Sequence, residues 1–261
     1  MAAAKLVVIV ADERDDTARV VAATAMTRST FLQYLVITTP ELALARWRQT
    51  ISARGIVETS ITLRGGTLRD DDVAVVWCRS SEIARPPFTG WRDADRAYAS
   101  AELTALVVSW LSGLGERVVN RATGTSATGP AWPQTKWADE ARRAGLCVAA
   151  RRLVTSARLL PTWTGSPYDA RLPSTHSADA DSTVLVAGEH VVGTEDPQIQ
   201  EAARRLALAA GCRFLRLLTA GPRRHVVSVD SIGATLTAVD VDAAVEMLSA
   251  IASARAYEVV R

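Results

Sequence analysis

The chain has 261 residues, of which 48% are hydrophobic and 22% charged, the composition of an ordinary globular protein with a substantial core. Its formal net charge of +2 argues against a dedicated nucleic-acid-binding protein, which normally carries a strong basic excess. No stretch approaches the roughly 18 apolar residues of a membrane span, and the short apolar run at the N-terminus leads into acidic residues, unlike a signal peptide. We therefore expect a cytoplasmic protein with no nucleic-acid or membrane partner.

The first half of the chain alternates strand and helix patterns. A nearly continuous apolar run at residues 5–10 predicts a buried strand, residues 15–26 have helical spacing, and residues 31–38 predict a second strand. This order favours two parallel strands joined by a right-handed crossover. Further predicted elements are short strands at residues 49–53, 56–63 and 117–120, a buried strand at residues 73–79 and a long helix at residues 93–114.

A segment rich in Gly, Thr, Ser and Pro, at residues 122–133, is the best candidate for a linker. It divides the chain into an N-terminal domain at residues 1–121 and a C-terminal domain at residues 134–261. Residues 156–181 have no regular pattern. The elements predicted after the linker are helices at residues 134–144, 197–210 and 239–254, strands at residues 147–155, 214–219 and 225–230, and a hairpin at residues 183–186 and 190–193.

Three stretches carry a family resemblance: VAVVWCRS at residues 73–80, RVVNRATG at residues 117–124, and KWADEARRAGLCVAARRLVTS at residues 136–156. Their order resembles that of the ATP-grasp ligases that act on ribosomally made peptides, and residues 183–193 and 225–236 resemble the final sheet of that family. The resemblance implies an α/β fold, with a pre-ATP-grasp-like α/β domain followed by a reduced ATP-grasp-like α+β domain that lacks the small lid subdomain.

The chain departs from the family in the residues that would hold a nucleotide. Phosphoryl transfer needs cations around the phosphate oxygens, yet only two of the 30 Lys+Arg residues are lysines, Lys5 and Lys136. The family's first lysine corresponds to Gln134, and Lys136 lies two residues on, which rotates its direction by about 200° on a helix. The lid would fall at residues 156–181, a segment without lysine that is too short for a subdomain. The family's Glu-x-Asn pair for Mg²⁺ corresponds to Ser228 and Asp230, which leaves one oxygen ligand of the pair.

The candidate ligand-binding residues each have two interpretations. Arg79 follows a buried strand, and either it binds a carboxylate bidentately together with Arg121 or it forms an ion pair at the surface. Lys136 is a relocated phosphate ligand or a solvated residue, and Asp230 is a metal ligand or a strand-end turn residue. Residues 124–129 are an anion-binding loop or a flexible linker. Trp77 and Trp110 are expected in the core.

These features lead to two main hypotheses. The first is a degenerate ATP-grasp-like protein that binds a peptide, an amino-acid-type substrate or a partner enzyme in a bacterial peptide-tailoring or specialised-metabolite pathway, without a cofactor. The alternative is a minimal ATP-dependent carboxylate–amine ligase that uses ATP and Mg²⁺ at a site rearranged around Arg79, Arg121, Lys136 and Asp230. An enzyme of different chemistry ranks third, because the chain has no recognisable triad, metal cluster or dinucleotide fingerprint. A homodimer is compatible with each hypothesis.

Overall fold

The structure is a computed structural model that describes residues 5–29, 31–55, 57–80, 90–124, 126–149, 181–232 and 235–258, the last with side chains to residue 254. Within these ranges the helices are α1 (Asp16–Arg28), α2 (Thr39–Leu44), α3 (Asp93–Leu114), α4 (Gln134–Ala144), α5 (Pro197–Ala210) and α6 (Ala238–Glu258). The strands are β1 (Lys5–Ala11), β2 (Leu32–Thr38), β3 (Arg46–Ile51), β4 (Val57–Leu63), β5 (Gly66–Arg69), β6 (Val73–Cys78), β7 (Ser182–Ala187), β8 (His190–Val192), β9 (Phe214–Ala220) and β10 (His225–Asp230).

The N-terminal half is built on a parallel sheet in the order β2-β1-β6. All seven residues of β1 pair in register with β2, from Lys5 opposite Leu32 to Ala11 opposite Thr38. The connecting helix α1 begins where the Asp15 side chain accepts the N–H of Ala18 at 3.1 Å, which satisfies one donor of the first turn. The predicted parallel pair of strands is therefore present.

A second, antiparallel sheet in the order β3-β4-β5 packs beside α3. The predicted core positions of Trp77 and Trp110 are confirmed, because both side chains are at most 1% exposed. By length and composition alone, residues 93–117 contain one helix apolar enough to cross a membrane. This corrects the expectation that no stretch approaches that length. The helix buries Val107, Trp110, Leu111 and Leu114 in the core next to this sheet.

The C-terminal half contains an antiparallel sheet in the order β10-β9-β7-β8, with α4 and α5 packed on one face. Helix α5 begins after the Asp196 cap with Pro197 and ends at Ala210, and Gly211 follows as a left-handed cap with a φ of +64°. On the other side, α6 joins a core shared with α1, β1 and β6. Arg28 of α1 and Asp242 of α6 form an ion pair at 2.5 Å.

The residues between α3 and the predicted linker connect the two halves. The predicted strand at residues 117–120 is wrong in its extent, because Gly115–Arg117 form a 3-10 helix and only isolated bridges follow. Val119 donates its N–H to the Val76 carbonyl at 2.9 Å, and its own carbonyl accepts the N–H of Arg213 at 3.3 Å. This short segment therefore lies between β6 and the chain entering β9, which joins the parallel sheet to the C-terminal one.

The remaining predicted elements agree with the structure in part. The helices at residues 93–114, 134–144 and 197–210 have the predicted bounds, and the predicted hairpin is present as β7 and β8. Of the strand predicted at residues 147–155, the described part forms one parallel bridge, between Val148 and Val226. The irregular segment predicted at residues 156–181 lies, except for its last residue, outside the described residues, and so does the predicted absence of a lid.

Candidate functional site

The topology brings the C-terminal ends of β1 and β6 side by side. The chain leaves β1 for β2 on one side and returns to β6 on the other, and such a reversal of strand order is where open α/β sheets bind ligands. Asp12 and Asp15 follow β1, whereas Arg79 and Ser80 follow β6. These four polar residues therefore form the first part of the candidate site.

Arg79 lies at the end of β6 as the strand assignment predicted, but it is only 2% exposed. Its Nε and Nη2 donate to the two carboxylate oxygens of Asp15 at 2.8 and 3.2 Å. Its Nη1 donates to the Ile232 carbonyl at 3.1 Å, and the guanidinium lies 4.7 Å from the ring centroid of Trp77. The ion pair that we considered at the surface is therefore buried, and it links the N-terminal sheet to the chain after β10.

Asp12 is a site residue that the sequence reasoning missed. Its side chain is exposed, and Oδ1 accepts hydrogen bonds from Ser80 Oγ at 2.8 Å and Thr39 Oγ1 at 3.3 Å. These two hydroxyls orient the carboxylate at the edge of the parallel sheet. The available signal was its place directly after the first buried strand of an α/β pattern.

Asn120, in the VNR sequence, holds the second part of the site together. Its buried Nδ2 donates to the carbonyls of Thr128, Phe214 and Ser231 at 3.1, 2.9 and 3.1 Å. Its Oδ1 accepts the N–H groups of Arg213 and Phe214 at 3.0 and 2.9 Å. One side chain thus bonds the predicted linker, the start of β9 and the residue after β10.

Gly129 lies directly against this side chain. Its φ is +115°, and a Cβ there would come within 3.3 Å of both Asn120 Cβ and Cys212 Sγ. The residues at 127–129 are buried. This part of the segment that we considered as an anion-binding loop or a flexible linker is consequently packed against Asn120, in a conformation that glycine adopts without strain.

Arg121 and Lys136 have separate partners. Arg121 forms an ion pair with Glu116 at 2.7 Å, and the two side chains are 74% and 71% exposed. Lys136 pairs with Glu140 one turn further along α4 and lies 5.0 Å from the ring centroid of Trp132. The hydrogen bond from Lys136 lowers the pKa of Glu140 below its ordinary value. Arg79 and Arg121 bind different acids, so the structure does not place them together on one carboxylate.

Asp230 ends β10 directly opposite Arg216 on β9. Its Oδ2 accepts from Arg216 Nε at 2.9 Å and lies 2.7 Å from Nη2, while Oδ1 accepts the N–H of Ile232 at 2.7 Å. Ser228, the other position of the Glu-x-Asn pair, supplies a hydroxyl. Magnesium prefers carboxylate and other hard oxygens in a regular octahedron. The residues here do not fit it, since the one carboxylate is already bound to a cation and a backbone donor.

The described residues also form a cavity and a groove away from these side chains. A cavity of about 760 Å³ lies between α5, α6 and the β7–β8 turn, and a groove of about 1120 Å³ runs along α3. The groove is lined by Trp47, Trp91 and Tyr98, the last two being 49% and 69% exposed. Neither concavity includes a residue that we selected from the sequence.

No protein-family model matches the chain, and no curated protein matches it. Solved structures do match. The macrocyclase MdnC of Microcystis aeruginosa MRC, bound to the precursor peptide MdnA, has a TM-score of 0.66 at 12% identity, covering 94% of this chain and 99% of that one.

A RiPP-associated ATP-grasp ligase of Chryseobacterium gregarium, in complex with ADP and a leader and core peptide, has a TM-score of 0.63 at 10% identity and covers 94% and 97% of the two chains. The ATP-grasp ligase PsnB, with a phosphomimetic minimal precursor, Mg and ADP, has a TM-score of 0.61 at 15% identity and covers 95% and 99%. The resemblance predicted from the three sequence stretches is confirmed at the level of the fold: the chain folds like the RiPP-associated ATP-grasp ligases.

Proposed function

We propose that the protein is a degenerate ATP-grasp-like protein of a bacterial peptide-tailoring pathway. It binds a peptide or amino-acid-type substrate, or a partner ligase, in the cytoplasm and does not turn over ATP. The neighbours in fold were crystallised with precursor peptides, which supports a peptide as the bound molecule. In this function the ligase fold serves as a binding scaffold, and the residues that would hold phosphate and metal are replaced or paired with other side chains.

One observation carries the proposal: every candidate ligand residue is engaged by another residue of the chain. The pairs are Arg79 with Asp15, Arg121 with Glu116, Lys136 with Glu140, and Asp230 with Arg216. Breaking a buried pair from one side costs about 3–5 kcal/mol, so Arg79 stays with Asp15. An incoming triphosphate would have to compensate that cost before gaining any new contact.

The low energy of an exposed ion pair favours the alternative function, a minimal ATP-dependent ligase. Pairs such as Arg121–Glu116 contribute only about 0–1 kcal/mol, so Arg121 can turn to an anionic ligand at little cost. Lys136 would leave Glu140, whose side chain is 12% exposed, at a somewhat higher cost. In the alternative, a minimal ATP-dependent carboxylate–amine ligase, these two cations would hold the phosphates. Arg79 and Asp230 would then have to exchange their partners during turnover.

Isothermal titration with Mg-ATP separates the two functions. The proposal predicts no saturable heat, with an intact peptide-tailoring ATP-grasp ligase as the positive control. Saturable binding, or ADP release when a candidate acid and amine are added, would establish the alternative.

The peptide is tested separately. If the gene lies beside one for a short precursor peptide, fluorescence anisotropy of that labelled peptide should show saturable binding without nucleotide, and a scrambled peptide of the same composition should not bind. Binding that requires added ATP would contradict the proposal. If a ligase gene lies beside it instead, co-purification of the two proteins is the equivalent measurement.

A further inference from the structure

By the resemblance to the ligases, Ser228 and Asp230 take the place of the Glu-x-Asn pair that would hold Mg²⁺, and the residue beside them on β9 is Arg216. It lies opposite Asp230 in the register of β9 and β10, and Ser228 precedes Asp230 by two residues, which places Ser228 and Asp230 on the same face of the strand. We propose that the Arg216 guanidinium is a built-in replacement for the divalent ion at this sheet edge, so that the site works without metal. The inference deepens the proposed function, on which it rests, by naming the residue that makes the site independent of magnesium.

The geometry of the pair supports a permanent arrangement. Two nitrogens of Arg216 approach the same oxygen of Asp230, at 2.9 and 2.7 Å, the short distances of charge-assisted hydrogen bonds. The side chains of Arg216 and Asp230 are only 16% and 30% exposed. Since a guanidinium is not deprotonated in proteins, this positive charge is present at every physiological pH.

The same pair makes Asp230 a poor metal ligand. Asp230 Oδ2 is held by Arg216, and Oδ1 accepts the N–H of Ile232 at 2.7 Å. In the part of the chain that the structure describes, no group of three His, Cys, Asp or Glu residues could hold a metal ion. A divalent cation at Asp230 would therefore lie beside the positive charge of the guanidinium, which opposes its binding.

The experiment uses Mn²⁺ alone as the probe, measured by electron paramagnetic resonance on the full chain. The wild type should show no saturable site. In R216D two carboxylates face each other across neighbouring antiparallel strands, at a Cα separation of about 4.5–5.5 Å. This variant should bind Mn²⁺ about tenfold or more tightly than the neutral, matched control R216N, because carboxylate number largely sets divalent-ion affinity.

Two further variants test the assignment. R216D/D230N removes one of the two carboxylates and should lose the gained site. The exchanged pair R216D/D230R restores one cation and one anion and should again bind no Mn²⁺. Circular dichroism of each variant verifies the fold.

Two results would overturn the inference. One is a saturable Mn²⁺ site in the wild type that D230N abolishes. The other is a folded R216D that binds Mn²⁺ no better than R216N. If R216D does not fold, comparing Mn²⁺ binding by the wild type with that by D230N still tests the inference. The test uses no nucleotide, so its outcome is separable from the proposed function: Mg-ATP bound elsewhere would refute that function and leave this pair intact.

Discussion

Arg79 binds both carboxylate oxygens of Asp15, at 2.8 and 3.2 Å, although 64 residues separate them in sequence. Asp15 also caps α1 through Ala18, and Arg79 also reaches the carbonyl of Ile232. This one pair therefore ties together the start of α1, the end of β6 and the chain that leaves β10.

Replacing Arg79 by Met should destabilise the protein by about 3–5 kcal/mol, because it leaves the Asp15 carboxylate nearly buried without its cation. Urea unfolding measures the change. The matched control is Arg121→Met, which removes an exposed pair and should cost less than about 1 kcal/mol. Adding Asp15→Asn to Arg79→Met should recover part of the loss, since Asn caps a helix as well as Asp. Equal costs for the two single Met variants would contradict the structural assignment.

Asn120→Asp should destabilise at least as much as Asn120→Ala. The Asp carboxylate would still accept the N–H groups of Arg213 and Phe214. Its second oxygen, however, would face the three carbonyl oxygens to which the wild-type amide donates, and it would repel them. Each unsatisfied buried polar group costs about 1–3 kcal/mol, so we expect about 3 kcal/mol or more by urea unfolding.

The control for Asn120 is Thr128→Ala, because Asn120 binds only the backbone carbonyl of that residue. We expect a cost of about 1 kcal/mol for it, because the buried Thr128 hydroxyl is hydrogen-bonded to Ser126 Oγ at 3.2 Å. An Asn120→Asp protein as stable as the wild type would show that the amide does not hold the two halves together.

Lys136→Met should reduce the loss of stability in acid. The pKa of Glu140 is lowered in the folded protein, first by the hydrogen bond from Lys136. Its stabilisation is therefore complete above the unfolded pKa of about 4.3 and is lost as the pH falls through the lower folded value. Urea unfolding as a function of pH should show a shallower acid limb in Lys136→Met than in the wild type.

Lys136→Arg is the conservative control for this measurement, because it retains a cation one turn from Glu140 and should keep the wild-type acid limb. Part of the effect should persist in Lys136→Met, since Arg143 also pairs with Glu140, at 2.7 Å. An acid limb unchanged in Lys136→Met would mean that the pair does not form in solution.

One thiol should react rapidly in the native protein. Cys147 is exposed, whereas Cys78 and Cys212 are buried, and burial raises the pKa of each of these two thiols to about 12. Because the thiolate is the reactive form, a thiol reagent at mildly alkaline pH should titrate one equivalent quickly and all three after denaturation. Cys147→Ser should abolish the fast phase, and a second fast equivalent would place Cys78 or Cys212 at the surface.

Local patterns were sufficient for much of the fold. Helix α3 and helix α5 were predicted with their observed bounds, because each has an apolar period and a glycine directly after its last residue. The strand predicted at residues 117–120 was wrong in its extent. Its apolar residues match a strand, but Arg117 turns back to the carbonyls of Asp70 and Val73, and this contact has no local signal.

The candidate site was less predictable for the same reason. Asp12 was missed, and the residues to which the Arg79 and Asn120 side chains are hydrogen-bonded, as described above, lie between 8 and 153 residues away. Arg216 was not selected because an arginine in the middle of a strand has no distinguishing pattern. Its importance comes from facing Asp230 across the sheet.

Residue types and their local spacing were enough to locate most elements, the shortage of lysine and the likeness to ATP-grasp ligases. Which charges meet depends instead on how the chain packs. The register of β9 and β10 places Arg216 on Asp230, and the return of the chain after β10 closes Arg79 against Asp15 and Ile232. Charge pairing depends on distance in space, and folding sets that distance through contacts that residue order does not encode locally.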